Sequence, residues 1–406
     1  MYFIKKEGKQ ISWLETNVKN YLKIDEWTDL VTLLSLKDDE VVVIGSDNQE
    51  LITSCYELIK FLILYTDVKS RLGFEMSDYN TKLGCEGNHY IKTLLDYFID
   101  LNSDGKFIRG FLIILGYLLM KHDSYDEAIP LALAFELFQT SVLIHDDIID
   151  NASKRRGKKT IVARYMEKYE QAKHLGVSLA ICAGDLGFYK ANEILIEHYH
   201  DNKTLLKYFN DIIINTIRGE TLDVVLPHLL KYNYFDDTTL EKYVMEIYRL
   251  KTSWYSVVGP IGVGMILGGA NHEQVEAMED FAYGLGVAFQ IKDDILGIYS
   301  NKVKAEKTAS DISEFKQTIM YSYVYENCPT YLTSLQKYYG QDNLKDEDIE
   351  IVKSIFKESG ALDYANNMMD RLFKVARHKL ESLSFIEKNY QDILKGFIVY
   401  LEQRDH

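Results

Sequence analysis

The sequence has 406 residues, 47% of them hydrophobic and 26% charged, which is enough for a large folded core. Its 61 acidic residues outnumber its 46 basic residues, and the net charge of −15 argues against a nucleic-acid-binding surface. The four cysteines lack the spacing of a metal site, as is typical of reduced thiols in a cytoplasmic protein. We therefore expect a globular cytoplasmic protein with no nucleic-acid partner.

The sequence predicts neither a signal peptide nor a transmembrane segment. The N-terminus lacks the successive charged, apolar and small-residue regions of a signal peptide. The apolar stretches "FLIILGYLLM" and "VVGPIGVGMILGG" are both shorter than the roughly 18 residues that a membrane-spanning helix requires. This expectation agrees with a location in the cytoplasm.

The spacing of apolar residues predicts an all-α protein. Apolar residues recur at helical intervals in segments such as "YIKTLLDYFIDL", "TLLKYFNDIIINTI" and "MEDFAYGLGVAFQIKDDILGIY". Only 4 prolines occur, so long uninterrupted helices can form. The best candidate for a strand is "DEVVVIG" at residues 39–45. We expect a helical core larger than a four-helix bundle.

The N-terminal part of the chain differs from the rest. In residues 1–85 the spacing of apolar residues is less regular, and no motif there indicates a function. We interpret them as an N-terminal extension of unknown role. Residues 86–406 are then expected to form one large helical domain that carries the activity.

Two charged motifs come first along the chain. "GKFIRG" contains Lys106 and Arg109, and "VLIHDDIIDNASKRRGKKT" contains Asp146 and Asp150 on one face of an apolar helix. A buried carboxylate is costly unless it is paired or bound to a metal. An acidic run on a helix is more often a solvated face, and a basic run is usually a surface loop. Neither motif is therefore decisive alone.

A second acidic pair strengthens the interpretation. Asp293 and Asp294 also lie within an apolar helix, in "AFQIKDDILGIY". Two such clusters facing each other would offer hard oxygen ligands to Mg²⁺, which typically also binds substrate phosphate oxygens. Arg155 and Arg156 follow the first cluster by one loop, and guanidinium groups bind phosphates bidentately. With Lys251 in "YRLKTSW", these residues predict a diphosphate site between helices. An apolar helix face beside it would accept the hydrocarbon tail of the substrate.

The ordered series of motifs resembles the trans-isoprenyl diphosphate synthase family, which includes farnesyl, geranylgeranyl and polyprenyl synthases. After "GKFIRG" and the first aspartate-rich motif come "AGDLGF" (183–188), "RGETLDV" (218–224), "KTSW" (251–254), "GVAFQIKDDILG", "KTASDISEFKQT" (307–318) and "IFKESGALDYA" (355–365). The resemblance covers roughly residues 88–404. It implies a large single-domain helical bundle of the isoprenoid synthase type and a homodimer.

The resemblance implies a role for each acidic residue of the two clusters. Asp146, Asp150 and Asp293 would ligate Mg²⁺, and Asp147 and Asp294 would support them. In the family up to three ions are shared with the substrate diphosphate. Mg²⁺ is therefore the expected cofactor.

An allylic prenyl diphosphate is the first substrate that the resemblance implies. Its diphosphate would be held by the metal ions together with Arg155, Lys251 and Lys307. Thr252 and Gln290 would offer oxygen dipoles to the allylic cation that forms when the C–O bond breaks. The released diphosphate would take the proton that is finally lost, so no protein base is expected.

Isopentenyl diphosphate is the second implied substrate. Lys106, Arg109, Gln139 and Arg156 would bind it. Gln139 lies seven residues before Asp146, where members of the family carry His or Gln. The implied reaction is a Mg²⁺-dependent head-to-tail condensation of the two substrates, which releases diphosphate.

The sequence departs from the usual family pattern at several positions. Asp104 replaces the first Gly before "GK", and Gly110 replaces the customary Pro. Glu220 stands where Gln is frequent, and Gly297 replaces the last Asp of the second motif. None of these departures removes an implied metal ligand.

Product length is expected to depend on the helix that carries the first cluster. Ser141 and Val142, then Phe138, then Phe135 lie one, two and three turns before Asp146. In farnesyl synthases one of the two nearest positions is usually aromatic, whereas both are small here. We expect a product of geranylgeranyl length or longer, and we expect Phe138 to block further growth of the prenyl chain. Packing of Phe138 in the core is an equally good interpretation.

Three further functions are compatible with the sequence. A terpene cyclase on the same scaffold would ionise a prenyl diphosphate without adding isopentenyl units. Retention of Lys106, Arg109, Gln139 and Arg156 argues against it, because a cyclase needs no second diphosphate pocket. The second function is a prenyltransferase that uses a peptide or a different acceptor. The third is a non-catalytic subunit of a partner synthase, although such subunits typically lose the aspartates that this chain retains.

Overall fold

The computed structural model describes most of the chain. The described residues are 2–7, 10–14, 22–24, 26, 30, 33–34, 41–44, 48–103, 105–170, 172–237, 239–299, 312–341 and 344–404. Two compact units are formed. The terminal unit consists of Met1–Thr66, Asp211–Gly259 and His272–His406, and the central unit consists of Asp67–Asn210 and Pro260–Asn271.

The predicted all-α class is confirmed for the described chain beyond residue 48. The α-helices in chain order are α1 Gln49–Leu83, α2 His89–Ser103, α3 Ile108–Leu118, α4 Ile129–Ile149, α5 Ile161–Lys168, α6 Lys173–Tyr199, α7 Lys203–Lys231, α8 Leu240–Ile247, α9 Gly259–Leu267, α10 His272–Tyr299, α11 Ile319–Asn327, α12 Pro329–Leu335, α13 Asp346–Glu358, α14 Ala361–Ser382 and α15 Lys388–Gln403. A 3₁₀-helix, Asp126–Ala128, precedes α4, and a π-helix, Tyr248–Val258, follows α8.

A small sheet precedes the helices. Its strands are β1 Tyr2–Glu7, β2 Gln10–Leu14, β3 Leu22–Ile24 and β4 Val41–Ile44, in the spatial order β2-β1-β4-β3. β1 is antiparallel to β2 and β4, and β3 is parallel to β4. The strand predicted at residues 39–45 is confirmed as β4, whereas the other three strands were not predicted.

Helices α4 and α6 pack closely in the central unit because α6 carries two glycines three residues apart. A Cβ added at Gly184 would lie 2.3 Å from Nε2 of His145, and one at Gly187 would lie 2.1 Å from Oγ of Ser141. Any side chain at these positions would therefore push α6 away from α4. The motif "AGDLGF" thus brings α6 against the helix that carries the first aspartates.

A buried polar network ties α4 to α2 and α1. Thr140 donates to Oδ1 of Asn102 at 2.8 Å, and Asn102 donates to Oδ1 of Asn80 at 3.1 Å. All three side chains are at most 7% exposed. Buried polar groups are tolerated when they are hydrogen-bonded in this way, and such a network favours one arrangement of the helices.

The helical stretch Asp126–Ile149 is long and apolar enough by length and composition to cross a membrane, which was not expected from the sequence. In the structure 78% of an apolar 18-residue stretch of this helix is buried inside the protein, as in the core helix of a globular protein. The expectation that the chain has no transmembrane segment stays a prediction.

The N-terminal part of α1 packs on α15 within the terminal unit. Phe61 is fully buried, and its ring centroid lies 5.6 Å from that of Phe397 and 5.1 Å from that of Tyr400. Beside it, Lys60 donates to Asp392 at 2.9 Å. The part of the predicted extension from Gln49 to Thr66 therefore contributes to the core of this unit.

Truncation of Phe61 should destabilise the protein strongly. We expect Phe61→Ala to lower the free energy of unfolding by roughly 3–5 kcal/mol, because a large buried ring is replaced by a cavity. Phe74→Ala on the same helix is the matched control, since Phe74 is 68% exposed. Urea denaturation followed by circular dichroism measures both. Equal losses in the two variants would show that α1 is not anchored through Phe61.

Candidate active site

The first acidic cluster lies at the carboxyl end of α4 and is held by one arginine. Arg155 donates through Nη2 to Asp146 at 2.6 Å and through Nε to Asp147 at 2.5 Å. The guanidinium therefore bridges two neighbouring carboxylates. Asp147 is 3% exposed, and the Asp146 side chain is 16% exposed. Asp150 is the residue that ends the helix, and its N–H donates to the carbonyl of Asp146.

Arg155 reaches the aspartates from a tight hairpin. The strands β5 Lys154–Arg155 and β6 Lys158–Lys159 pair antiparallel, with Arg156 and Gly157 between them. Both central residues have positive φ, 53° and 79°. A two-residue hairpin of this kind needs such backbone angles, which glycine adopts easily. The "RRG" motif therefore places the two arginines by its turn geometry.

The hairpin is anchored by a residue that sequence reasoning missed. Asp100 on α2 accepts from Nζ of Lys158 at 2.7 Å and from Nη2 of Arg164. Thr160 caps α5 and also donates to the carbonyl of Ala152 at 2.9 Å. No sequence pattern indicated Asp100, because its two partners lie 58 and 64 residues further along the chain.

A pocket opens beside the bridged aspartates. It brings together three predicted site residues, Asp147, Arg155 and Arg156, with cationic and apolar neighbours. Its lining consists of Asp100, Leu101, Thr140, Leu143, Ile144, Asp147, Arg155, Arg156 and Lys158. The pocket is thus lined by three cations, by two acids and by aliphatic side chains of α2 and α4.

The acidic cluster carries more negative charge than its arginine neutralises. Burial is the largest cause that raises the pKa of Asp147 to about 6; Arg155 opposes this rise, and the charges of Asp146 and Asp150 add to it. Hard carboxylate oxygens with surplus negative charge fit Mg²⁺. Among the described residues, no three His, Cys, Asp or Glu side chains form a metal-binding group. The ligand set Asp146, Asp150 and Asp293 therefore stays a prediction.

The residues predicted to bind isopentenyl diphosphate all lie in the central unit. Lys106 is exposed just before α3, and Arg109 is the second residue of that helix. Gln139 is 9% exposed on α4, and Arg156 is exposed in the hairpin turn. The charges of both arginines act on the buried carboxyl of Glu136, which sequence reasoning also missed.

The predicted product-length residues lie on α4, in the order expected. Ser141 is fully buried and Val142 is half-buried. Phe138 is 1% exposed, and its ring centroid lies 5.4 Å from that of Phe135 and 5.7 Å from that of Phe188. Phe138 therefore belongs to an aromatic cluster between α4 and α6.

The terminal unit holds Lys251 between two acids. Its Nζ lies 2.8 Å from Oε2 of Glu220 and 2.6 Å from Oδ2 of Asp223. A Cβ added at Gly219 would lie 2.4 Å from the backbone N of Lys251, so glycine allows α7 to approach the π-helix. The motif "RGETLDV" thus positions Lys251, and Glu220, where the family frequently has Gln, adds a negative charge.

A chain of hydrogen bonds links the other predicted residues of this unit. Thr252 donates to Oε1 of Gln290 at 2.6 Å, and Gln290 donates through Nε2 to Asp294 at 2.7 Å. Asp294 also accepts from the hydroxyl of Tyr248, which in turn accepts from the backbone N–H of Ile319 at 2.8 Å. Burial, followed by the charge of Asp294, raises the pKa of Tyr248 and keeps it a proton donor.

Asp293 has a partner from the end of the chain. Arg404, just after α15, donates to its Oδ1, and the guanidinium lies 3.9 Å from the ring centroid of Phe289. The remaining predicted residue, Lys307, lies outside the described residues.

The helical architecture is that of the isoprenoid synthase class, and the chain belongs to the polyprenyl synthetase family. Residues 88–358 match that family. The chain is therefore a prenyltransferase, a polyprenyl diphosphate synthase. Members of the family use Mg²⁺, and isopentenyl and allylic prenyl diphosphates fit it as substrates.

Three similar proteins have names that agree with this assignment. A short chain isoprenyl diphosphate synthase of Methanocaldococcus jannaschii is 33% identical over 270 residues, 65% of this chain and 76% of the relative. A geranylgeranyl diphosphate synthase of Sulfolobus acidocaldarius is 30% identical over 70% of this chain and 82% of its own. The fold resembles that of geranylgeranyl pyrophosphate synthase from Corynebacterium glutamicum, complexed with isoprenyl diphosphate and magnesium. Its TM-score is 0.72 at 22% identity, covering 84% of this chain and 99% of that chain.

The raised pKa of Asp147 predicts a pH-dependent stability in metal-free protein. Because the folded state binds this proton more tightly than the unfolded state, the contribution of Asp147 to stability is full below about pH 4 and is lost as the pH rises through about 6. Asp147→Asn should remove this loss. Urea denaturation in EDTA at pH 4.5 and 7 measures it, with the exposed Asp123→Asn as control. An unchanged pH dependence in Asp147→Asn would contradict the prediction.

Proposed function

We propose that this chain condenses isopentenyl diphosphate head to tail with an allylic prenyl diphosphate, with release of diphosphate and a product of geranylgeranyl length or longer. The single observation that carries the proposal is the pocket in which Arg155, Arg156 and Lys158 lie beside the buried Asp147 of α4. The family membership supports it independently.

The allylic diphosphate is stabilised as a leaving group by fixed positive charge. Arg155 and Lys251 each have carboxylate partners that set their position, so little reorganisation is needed when negative charge develops. Asp146, Asp150 and Asp293 are the residues that would hold Mg²⁺, which would supply Lewis-acid stabilisation of the departing anion. Lys307 is proposed for the same role from sequence alone.

The cation left behind requires oriented oxygen dipoles. The hydroxyl of Thr252 and the carbonyl of Gln290 are hydrogen-bonded to each other, and Asp294 fixes the amide of Gln290 from its other end. The direction of these hydrogen bonds is set because an ionised Asp294 can only accept. We assign Thr252 and Gln290 to stabilisation of the allylic cation, with Asp147 and Asp294 as supporting groups.

Isopentenyl diphosphate is assigned to the basic residues of the central unit. Lys106 and Arg109 lie at the start of α3, where the helix dipole also favours an anion. Gln139 and Arg156 complete the set that the sequence predicts. The double bond of this substrate attacks the allylic cation, and the released diphosphate takes the proton.

Three further predictions concern the protein as a whole. We propose that residues 1–85 are an extension to the domain 86–406, that the protein is cytoplasmic, and that it is a homodimer. Ile181, Tyr189 and Ile196 support the homodimer, because they are 44–75% exposed along one face of α6. Light scattering on the purified protein tests it.

Elongation is the first activity to measure. Purified protein with Mg²⁺ and labelled isopentenyl diphosphate is incubated with geranyl, farnesyl or geranylgeranyl diphosphate, and the products are separated by length. We expect label in longer chains, and a loss of at least about a hundredfold in Asp146→Ala, because metal stabilisation of the leaving group is weakened. Asp201→Ala, at a 96% exposed position, should retain activity. Metal-dependent conversion of the allylic diphosphate to hydrocarbon, without incorporation, would instead indicate a cyclase.

The role of Phe138 in product length has its own test. Phe138→Ala should shift the products to longer chains, because it opens the path two turns beyond Asp146. Phe356→Ala is the matched control, since this ring is equally buried on α13. An unchanged product distribution in Phe138→Ala would leave Phe138 as a core residue only.

A further inference from the structure

Glu136 is a buried acid on α4 that has no part in the reaction described above. It is 5% exposed, and its Oε1 accepts a hydrogen bond of 2.8 Å from the backbone N–H of Gly110. A buried carboxylate without a partner is costly, so this hydrogen bond is a substantial part of what keeps Glu136 in the core.

The donor belongs to the first turn of α3. Gly110 is the third residue of that helix, and the first N–H groups of a helix have no acceptor within it. The residue before the helix, Phe107, has a φ of 51°, and its side chain makes no capping hydrogen bond. Glu136 therefore caps α3 from a different helix.

Gly110 makes this cap sterically and chemically feasible. A Cβ at this position would lie 2.8 Å from Cδ1 of Leu72 and 3.2 Å from Oε1 of Glu136. Proline, which is usual at this position in the family, has no N–H to donate. Gly110, which departs from the family pattern, therefore supplies the N–H that donates to Glu136.

The same carboxylate is close to two cations assigned to isopentenyl diphosphate. Burial raises the pKa of Glu136, and the hydrogen bond from Gly110 and the positive charges of Arg109 and Arg156 oppose that shift. Arg109 is also the residue that directly precedes Gly110. The position of its backbone is therefore set by the cap.

We propose that Glu136 is a positioning residue for isopentenyl diphosphate, because its cap on Gly110 holds the start of α3 and thereby Arg109. This inference rests on the assignment of Arg109 to that substrate. Glu136 itself does not touch the substrate. Its effect should appear in the binding of isopentenyl diphosphate and leave the allylic substrate unaffected.

The experiment measures the Kd of isopentenyl diphosphate by calorimetry and the KM of each substrate. Glu136→Ala should raise the Kd and KM for isopentenyl diphosphate about fivefold, the size expected for one lost helix cap, and leave the allylic KM within about twofold. Glu136→Gln keeps an oxygen that can accept from Gly110, so it should restore binding to within about twofold of the unmodified chain.

A double-mutant cycle tests the hydrogen bond itself. Gly110→Pro removes the donor and also adds ring carbons beside Leu72, so it should raise the Kd at least as much as Glu136→Ala does. Combining the two changes should add no further loss, because they remove the same interaction. Additive losses would overturn the proposal. If Glu136→Ala fails to fold, Gly110→Pro still tests the same hydrogen bond.

The controls separate a capping role from general destabilisation and from a wrong substrate assignment. Asn202→Ala removes the cap of α7, where Asn202 accepts from Leu205, and should not change the Kd. Arg109→Ala should raise the Kd more than Glu136→Ala does. If Arg109→Ala has no effect, the substrate assignment is wrong and the inference falls with it. If Arg109→Ala raises the Kd and Glu136→Ala does not, only the positioning role is wrong.

Discussion

The carboxylates at the carboxyl end of α4 are an electrostatic constraint on the central unit. Asp146 and Asp147 lie in the last turn and Asp150 ends the helix, where the helix dipole already places negative charge. Burial of Asp147 removes the solvent that would otherwise screen its charge. Cations must therefore approach this helix end, and Arg155 does so by bridging two of the carboxylates.

The surroundings of α4 follow from that requirement. A hairpin with two positive-φ residues delivers Arg155, and Asp100 anchors the hairpin through Lys158. Two glycines let α6 lie close to α4, and buried asparagines tie α4 to α2 and α1. Glu136 connects the same helix to the start of α3. The helix that carries the acids is thus held by neighbours on several faces, as a preorganised electrostatic site requires.

The terminal unit uses the same principle with the charges reversed. Lys251 is the central cation, and Glu220 and Asp223 hold it. The chain from Thr252 through Gln290 to Asp294 orients neutral dipoles with one carboxylate at its end. In both units a charge that is assigned to the reaction is held in place by opposite charges.

The sequence by itself determined the helical class, the two aspartate-rich motifs and their basic companions, because helical periodicity and short motifs are local properties. It also determined one strand, Val41–Ile44, whose β-branched run is a local signal. Only the tertiary structure decided that Asp100 anchors the hairpin, that Glu136 caps α3 and that Arg404 meets Asp293. These pairs are 26 to 111 residues apart, and no local pattern encodes such contacts. The first three strands escaped prediction for the same reason, since a strand depends on hydrogen bonds to partners that lie elsewhere in the chain.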